Sequence, residues 1–292
     1  MESKNRMEYQ TMWRRLVPLY EAREAQAIVR TLLDEGYGLS MADVLTGGVE
    51  RLTQGATERL AKQMESLSLG VPLQQVLGYA WFCDRRYAVS PHVLTPRPET
   101  EEMCRWIVEN MRQTGEQHLL DIGTGSGCIA CTLALDLPQA KVTAVDISDK
   151  ALQVASSNAE SLGAKVRFLR KDILEPAIGS GSDLRQQRYD IIVSNPPYIT
   201  NGERAQMHRN VLEHEPHTAL FVPDEDPLLY YRAIARLALD ALKPGAWLYF
   251  EINPLFCQPL CQMLHDLGYA NTTLKADEQG KIRMARAQLF AT

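Results

Sequence analysis

The 292-residue chain contains no run of about 18 apolar residues, which excludes a membrane-spanning helix within it. Its first residues, Met1-Glu-Ser-Lys-Asn-Arg-Met7, are charged and lack the apolar core of a secretory signal, so the cytoplasm is the expected compartment and no membrane partner is expected. An excess of positive charge is also missing. With 31 Lys and Arg against 36 Asp and Glu the net charge is -5, the wrong sign for affinity built on many phosphate contacts, and no direct nucleic-acid partner is expected. The six cysteines are spread through a chain long enough to be stable without staples, and they are expected as reduced thiols. Neither an internal repeat nor a long low-complexity tract occurs. What remains, 45% hydrophobic and 23% charged residues, is the composition of an ordinary globular protein.

Two periodicities divide the chain. Through the first 70 or so residues apolar side chains recur at helical spacing: Tyr9, Met12, Trp13 and Leu16, then Ala25, Ile28, Val29, Leu32 and Leu33, then a face from Thr57 to Leu69 that ends at Gly70-Val-Pro72. Ser40 precedes Met41 to Leu45 as an N-cap. Acidic and basic residues balance in this region, so protein contact is its expected use. Tyr79 to Phe82 and Arg86 to Val89 flank Asp84-Arg85 and predict a β-hairpin. After the proline-punctuated Thr95-Pro-Arg97-Pro-Glu99, strands alternate with helices. The strands read are Leu119 to Ile122, Val142 to Ile147, Val166 to Arg170, Tyr189 to Ser194 and Trp247 to Ile252, with late strands near Thr272 to Lys275 and Ile282 to Leu289. Such alternation predicts an α/β fold with a mostly parallel sheet. Three segments are therefore expected: a helical domain over 1–74, a β-hairpin connector over 75–95 and the α/β domain over 96–292. Gly179-Ser-Gly181-Ser, inside Glu175 to Arg188, predicts a surface loop.

The chemistry follows from strand ends. Asp121-Ile-Gly123-Thr-Gly125-Ser-Gly127 follows the first strand and opens a helix, a turn whose glycines let the backbone approach a small polar ligand. The dinucleotide fingerprint requires a glycine where Cys128 stands, and no lysine follows for a phosphate-binding loop, so neither NAD nor a nucleoside triphosphate fits well. Asp121, Asp146, Asp172 and Asn195 each close a consecutive strand and are expected to converge on one crevice. There Asp146 is placed to accept from ribose hydroxyls, while Asp172 and Ile173 border a purine. The most informative segment is Ser194-Asn195-Pro196-Pro197-Tyr198. Two prolines after an apolar strand remove two N–H groups and leave carbonyls free to accept. The Asn195 oxygen and the Pro196 carbonyl are each expected to take one hydrogen of a planar NH2 group, with Tyr198 packed on its face.

These segments resemble the class I S-adenosylmethionine-dependent methyltransferases, whose sheet is Rossmann-like. The match extends to Gly70-Val-Pro-Leu-Gln74, Leu77-Gly78, Leu94-Thr-Pro-Arg-Pro-Glu-Thr-Glu101 and Glu215-Pro-His-Thr-Ala-Leu-Phe221, which together resemble the HemK family, also called PrmC, of protein-(glutamine-N5) methyltransferases. The resemblance implies S-adenosylmethionine held by Gly123, Thr124, Gly125, Ser126, Gly127, Asp146, Asp172, Ile173 and Asn195. It implies catalysis by Asn195, Pro196 and Tyr198, with Pro197 beside them against the substrate. The implied substrate is the glutamine of the Gly-Gly-Gln motif in class 1 peptide-chain release factors, the helical domain helping to hold that partner and the enzyme acting as a monomer. One departure is Asn253-Pro254, where the family commonly has a glycine after the Glu-Ile of the fifth strand; the late Asp277-Glu-Gln-Gly-Lys-Ile-Arg283 also matches only loosely.

Other readings are weaker. A DNA adenine-amino methyltransferase offers the same loop to a flipped base, but the acidic charge and the lack of an added basic domain oppose it. An inactive scaffold of the same fold has no need of Gly123 to Gly127, Asp146 and Asn195. Cys128-x2-Cys131 with Cys257-x3-Cys261, or His208, His214 and His217, suggest a metal only by composition; one-turn spacing on helices makes the cysteines small apolar residues, and no metal is expected. Arg97 and Glu99 read equally as an ion pair or as positioning groups.

Overall fold

A computed structural model of the chain describes residues 8–111, 115–175, 183–207 and 209–290. They divide into one unit of residues 8–79 with 209–214 and another of residues 80–207 with 215–290. The first is built from α1 (Tyr9–Leu16), α2 (Ala22–Tyr37), α3 (Met41–Leu45), α4 (Gln54–Ser68) and α5 (Leu73–Leu77). The apolar stripes read in the sequence meet in its core, where Leu16, Val29, Leu32, Leu33, Leu60 and Leu67 are fully buried. Ser40 caps α3 reciprocally with Asp43, each side chain accepting the other's backbone N–H. Gly70-Val-Pro72 does more than end α4. The fixed φ of Pro72 is compatible with a helix start, and α5 begins at the next residue. Residues 209–214 join this unit because Gln75 Nε2 donates to the His214 carbonyl at 2.8 Å and the His214 ring nitrogen lies 3.3 Å from the Leu69 carbonyl.

The predicted hairpin is present as β1 (Tyr79–Phe82) and β2 (Arg85–Ala88), with Cys83 and Asp84 in the left-handed region at φ 47° and 60°. That pair of positive angles is what a two-residue hairpin turn requires. The hairpin serves the second unit and is not a separate connector. Phe82 and Tyr87 meet edge to face at 5.7 Å in that unit's core, and the Tyr87 hydroxyl reaches Thr132 Oγ1 at 2.8 Å.

The remaining elements are α6 (Pro98–Met111), β3 (Gln117–Ile122), α7 (Cys128–Asp136), β4 (Ala140–Asp146), α8 (Asp149–Leu162), β5 (Val166–Arg170), α9 (Asp183–Gln186), β6 (Tyr189–Ser194), β7 (Ile199–Thr200), α10 (Arg209–His214), α11 (His217–Leu220), β8 (Phe221–Val222), α12 (Leu229–Ala241), β9 (Leu242–Glu251), α13 (Cys257–Asp266), β10 (Tyr269–Ala276) and β11 (Ile282–Leu289). The seven-stranded sheet runs β10-β11-β9-β6-β3-β4-β5, parallel from β9 to β5 and antiparallel through β10 and β11. Its inner strands are buried on both faces, and Ile191, Ile192 and Val193 are wholly inaccessible. Strand order reverses between β3 and β6, so the carboxyl ends of these two neighbours frame the crevice in which such sheets bind ligands.

The structure also refines the sequence reading of these later elements. Strand β9 starts five residues before Trp247, since Leu242 pairs with Tyr189 ahead of an irregularity. Of the predicted loop over Glu175 to Arg188, Asp183–Gln186 is helical and residues 176–182 lie outside the described residues. The Asn253-Pro254 departure leaves the strand pairing regular, with Met284 to Gln288 registered against Glu251 to Trp247. Asn253 Oδ1 caps Leu255 N–H at 3.0 Å while its Nδ2 donates to Glu203 and the Tyr198 carbonyl.

Candidate active site

The glycine turn after β3 is held by backbone hydrogen bonds. Gly123 and Thr124 N–H both donate to the Val145 carbonyl, at 2.9 and 3.0 Å, and Gly127 N–H donates to Thr124 at 2.8 Å. Gly123, Gly125 and Gly127 have φ of 75°, 55° and 80°, angles that side chains with a Cβ rarely adopt. At Gly127 space also decides, because a Cβ there meets Ala155 Cβ at 3.0 Å. Gly127 thus lets α7 approach α8 and stands behind the ligand cavity, while Gly123, Thr124, Gly125 and Ser126 line it.

Asp146, at the end of β4, is fixed by two donors. Gly125 N–H reaches Oδ2 at 2.9 Å and Ser148 N–H reaches Oδ1 at 2.9 Å. Each oxygen keeps a lone pair for a further donor, and the residue lines the cavity. Asp172 accepts Leu174 N–H at 2.9 Å, and with Ile173 it forms the same wall. Half-exposed Ile147 adds an apolar surface beside them. Asp121 does not reach the cavity. It lies fully buried beneath the turn, accepting from Thr124 Oγ1 at 2.6 Å, and burial pushes its carboxyl up to about 7 against the lowering effect of that bond, with Asp146 raising it further.

Asn195, Pro196 and Pro197, just past β6, line the same cavity of about 360 Å³, and in the sheet β6 and β4 lie on either side of β3. Among the described residues no donor reaches Asn195 Oδ1 or the Pro196 carbonyl; Asn195 Nδ2 is engaged, donating to Thr100 Oγ1 at 3.3 Å. Thr100 Oγ1 in turn donates to Glu251 Oε2 at 2.5 Å, and Tyr198 Oη donates to Glu251 Oε1 at 3.0 Å. Burial raises the Glu251 carboxyl, while the Thr100 and Tyr198 hydroxyls draw it back down. Tyr198 is not in the cavity wall with Asn195. It lines a second hollow with Glu251, Asp277 and Arg283.

Thr95, whose buried Oγ1 has no partner among the described residues, also lines the main cavity. Arg97 pairs with the buried Glu215 at 2.7 Å and not with Glu99. Sequence reasoning missed Thr95, Thr100 and Glu251 as site residues. Glu251 was within reach, being a polar group at the carboxyl end of the strand beside β6. Cys128 and Cys131 pack in the core, where burial pushes the Cys131 thiol up to about 12. His208 lies outside the described residues; among those described, no group of three or more His, Cys, Asp and Glu is placed to hold a metal, and no helix is long and apolar enough to cross a membrane.

Comparison with known proteins places this geometry. A family model for the methyltransferase small domain matches residues 99–218. In fold, the chain is similar to the hMettl16 catalytic domain, with a TM-score of 0.53 at 19% identity over 80% of this chain and 82% of that one. In sequence it is 42% identical to the release factor glutamine methyltransferase of Bacteroides thetaiotaomicron over 93% of this chain and 95% of the relative. It is 40% identical to that of Flavobacterium psychrophilum over 93% and 94%. Identity of this degree along nearly the whole length of both proteins means that the chain belongs to the release factor glutamine methyltransferase family.

Proposed function

We propose that this chain transfers a methyl group from S-adenosylmethionine to the side-chain amide nitrogen of the glutamine in the Gly-Gly-Gln motif of class 1 release factors, acting in the cytoplasm. The observation that carries the reading is a pair of open acceptors, Asn195 Oδ1 and the Pro196 carbonyl, in a cavity that Asp146 and Asp172 also line. The residues fit the cofactor. Asp146 offers each oxygen to a ribose hydroxyl, Asp172 and Ile173 suit the edge and face of a purine, and the orphaned Thr95 Oγ1 awaits a polar partner. When bound, the cofactor supplies a methyl carbon activated by a positively charged sulfur.

A primary amide nitrogen is a poor nucleophile because its lone pair is delocalised into the carbonyl. The task left to the protein is therefore to orient the group and shift electron density toward nitrogen. Asn195 Oδ1 and the Pro196 carbonyl do both by accepting the two N–H bonds, and well-oriented reactions gain about 7 to 11 kcal/mol from proximity alone. No strong base is required, since the methylated nitrogen becomes acidic and sheds its proton late. The helical unit of residues 8–79 with 209–214 helps hold the release factor.

Labelled S-adenosylmethionine incubated with the protein and a class 1 release factor tests this directly. Label is expected in the factor, and none in a factor whose motif glutamine is replaced by alanine or in duplex DNA. Label in DNA, or in the alanine-substituted factor, overturns the assignment.

A further inference from the structure

Asn195 presents its oxygen to the cavity only if its side-chain amide is turned one way, and the loop that carries it does not dictate which. The answer lies behind the loop. Thr100 and Glu251 are each 2% exposed, so their polar atoms must be satisfied by one another and by their immediate neighbours. Both Glu251 oxygens act as acceptors and are filled by hydroxyls, Thr100 at 2.5 Å and Tyr198 at 3.0 Å. A hydroxyl has one hydrogen. Having given its own to Glu251, Thr100 Oγ1 can only accept from the group on its other side, 3.3 Å away. That group must then be the NH2 end of Asn195, and the oxygen is left facing the cavity.

We propose that Glu251 and Thr100 are positioning residues for the methyl transfer: their one-way chain of hydrogen bonds locks the Asn195 amide with its oxygen toward the substrate nitrogen. The three residues come from β9, α6 and the loop after β6, so the lock is assembled by the fold from distant segments. With the amide reversed, an NH2 group faces the substrate NH2 and one of the two acceptors is gone. This inference rests on the substrate assignment above, and its test separates the two.

Thr100→Val keeps the shape of the side chain and removes the hydroxyl, Thr100→Ser keeps the hydroxyl, and Glu251→Met removes the acceptor that sets the direction. Loss of one buried hydrogen bond of ordinary strength is expected to lower kcat by on the order of tenfold in Thr100→Val, with the S-adenosylmethionine Kd and the release-factor KM within about twofold of wild type. Glu251→Met is expected to fall in the same direction, while Thr100→Ser restores most of the turnover. Melting curves accompany each variant. Wild-type kcat in Thr100→Val or in Glu251→Met overturns the proposal, as does an equal loss in Thr100→Val and Thr100→Ser, which makes the role one of packing. A wild-type protein that leaves the release factor unlabelled removes the substrate assignment itself; an active wild type with an equally active Thr100→Val removes only the lock.

Discussion

Replacing Asp146 by asparagine is a severe test of the proposed cofactor site, because the change is isosteric and its cost can be worked from two distances. Both carboxylate oxygens accept backbone N–H groups at 2.9 Å, one from Gly125 and one from Ser148. An asparagine keeps only one acceptor, so its NH2 end must face an N–H group donor to donor. A hydrogen bond to a charged group contributes about 1.5 to 3 kcal/mol, and the same substitution also removes an acceptor from one ribose hydroxyl. Part of the first loss falls on the free protein and does not count toward binding. A net loss of about 3 kcal/mol in affinity is expected, roughly a hundredfold rise in the S-adenosylmethionine Kd. Titration calorimetry measures it, with circular dichroism to establish that the variant is folded. At saturating cofactor kcat should stay near wild type, since Asp146 is not one of the two acceptors proposed to hold the substrate amide. A folded Asp146→Asn protein with a Kd within about threefold of wild type refutes the ribose assignment.

Asn195→Ala removes an acceptor from the reacting nitrogen and should lower kcat by on the order of a hundredfold while calorimetry shows cofactor affinity far less changed; unaltered turnover speaks against the role. Gly127→Ala forces a Cβ to 3.0 Å from Ala155 Cβ at a φ of 80°, and chemical denaturation should show a loss of about 2 to 4 kcal/mol. A variant as stable as wild type means that α7 and α8 part freely. For Asp121 the folded protein holds its proton more tightly than the unfolded chain, because burial pushes the carboxyl up to about 7. Its contribution to stability is full in acid and is lost as pH rises toward 7, so Asp121→Asn should flatten that part of the stability profile by on the order of a few kcal/mol. Denaturant titrations across the range that give parallel wild-type and variant profiles contradict it.

Much of the fold can be read from local pattern. The parallel strands, the hairpin and the Ser40 cap are each set within a few residues, by periodicity, by short aromatic-rich stretches either side of a turn and by a short side-chain oxygen, although the turn falls on Cys83 and Asp84, one residue before the Asp84-Arg85 read in the sequence. The glycine turn and the Asn195 loop belong to the same class, since a strand end is a local feature and the sheet order brings the ends together. Pairings across long stretches of chain do not show in local pattern. Thr100 and Glu251 lie 151 residues apart, and Arg97 finds Glu215 across 118. Nothing near Arg97 in sequence says that Glu99 is not its partner. Residues 209–214 read as a loop of the larger domain, yet Gln75 ties them to the helical one. Asp121 lies near a strand end and Tyr198 in the loop after β6, as expected, but the carboxylate is buried under the turn with Thr124 and the tyrosine hydroxyl bonds Glu251 in the neighbouring hollow.

The two oxygens at Asn195 and Pro196 also count. In the proposed seat a primary carboxamide satisfies both with its two hydrogens, whereas its methylated product has one left. On the proposed assignment the seat distinguishes substrate from product by valence, and a second methyl transfer to the same nitrogen is not expected.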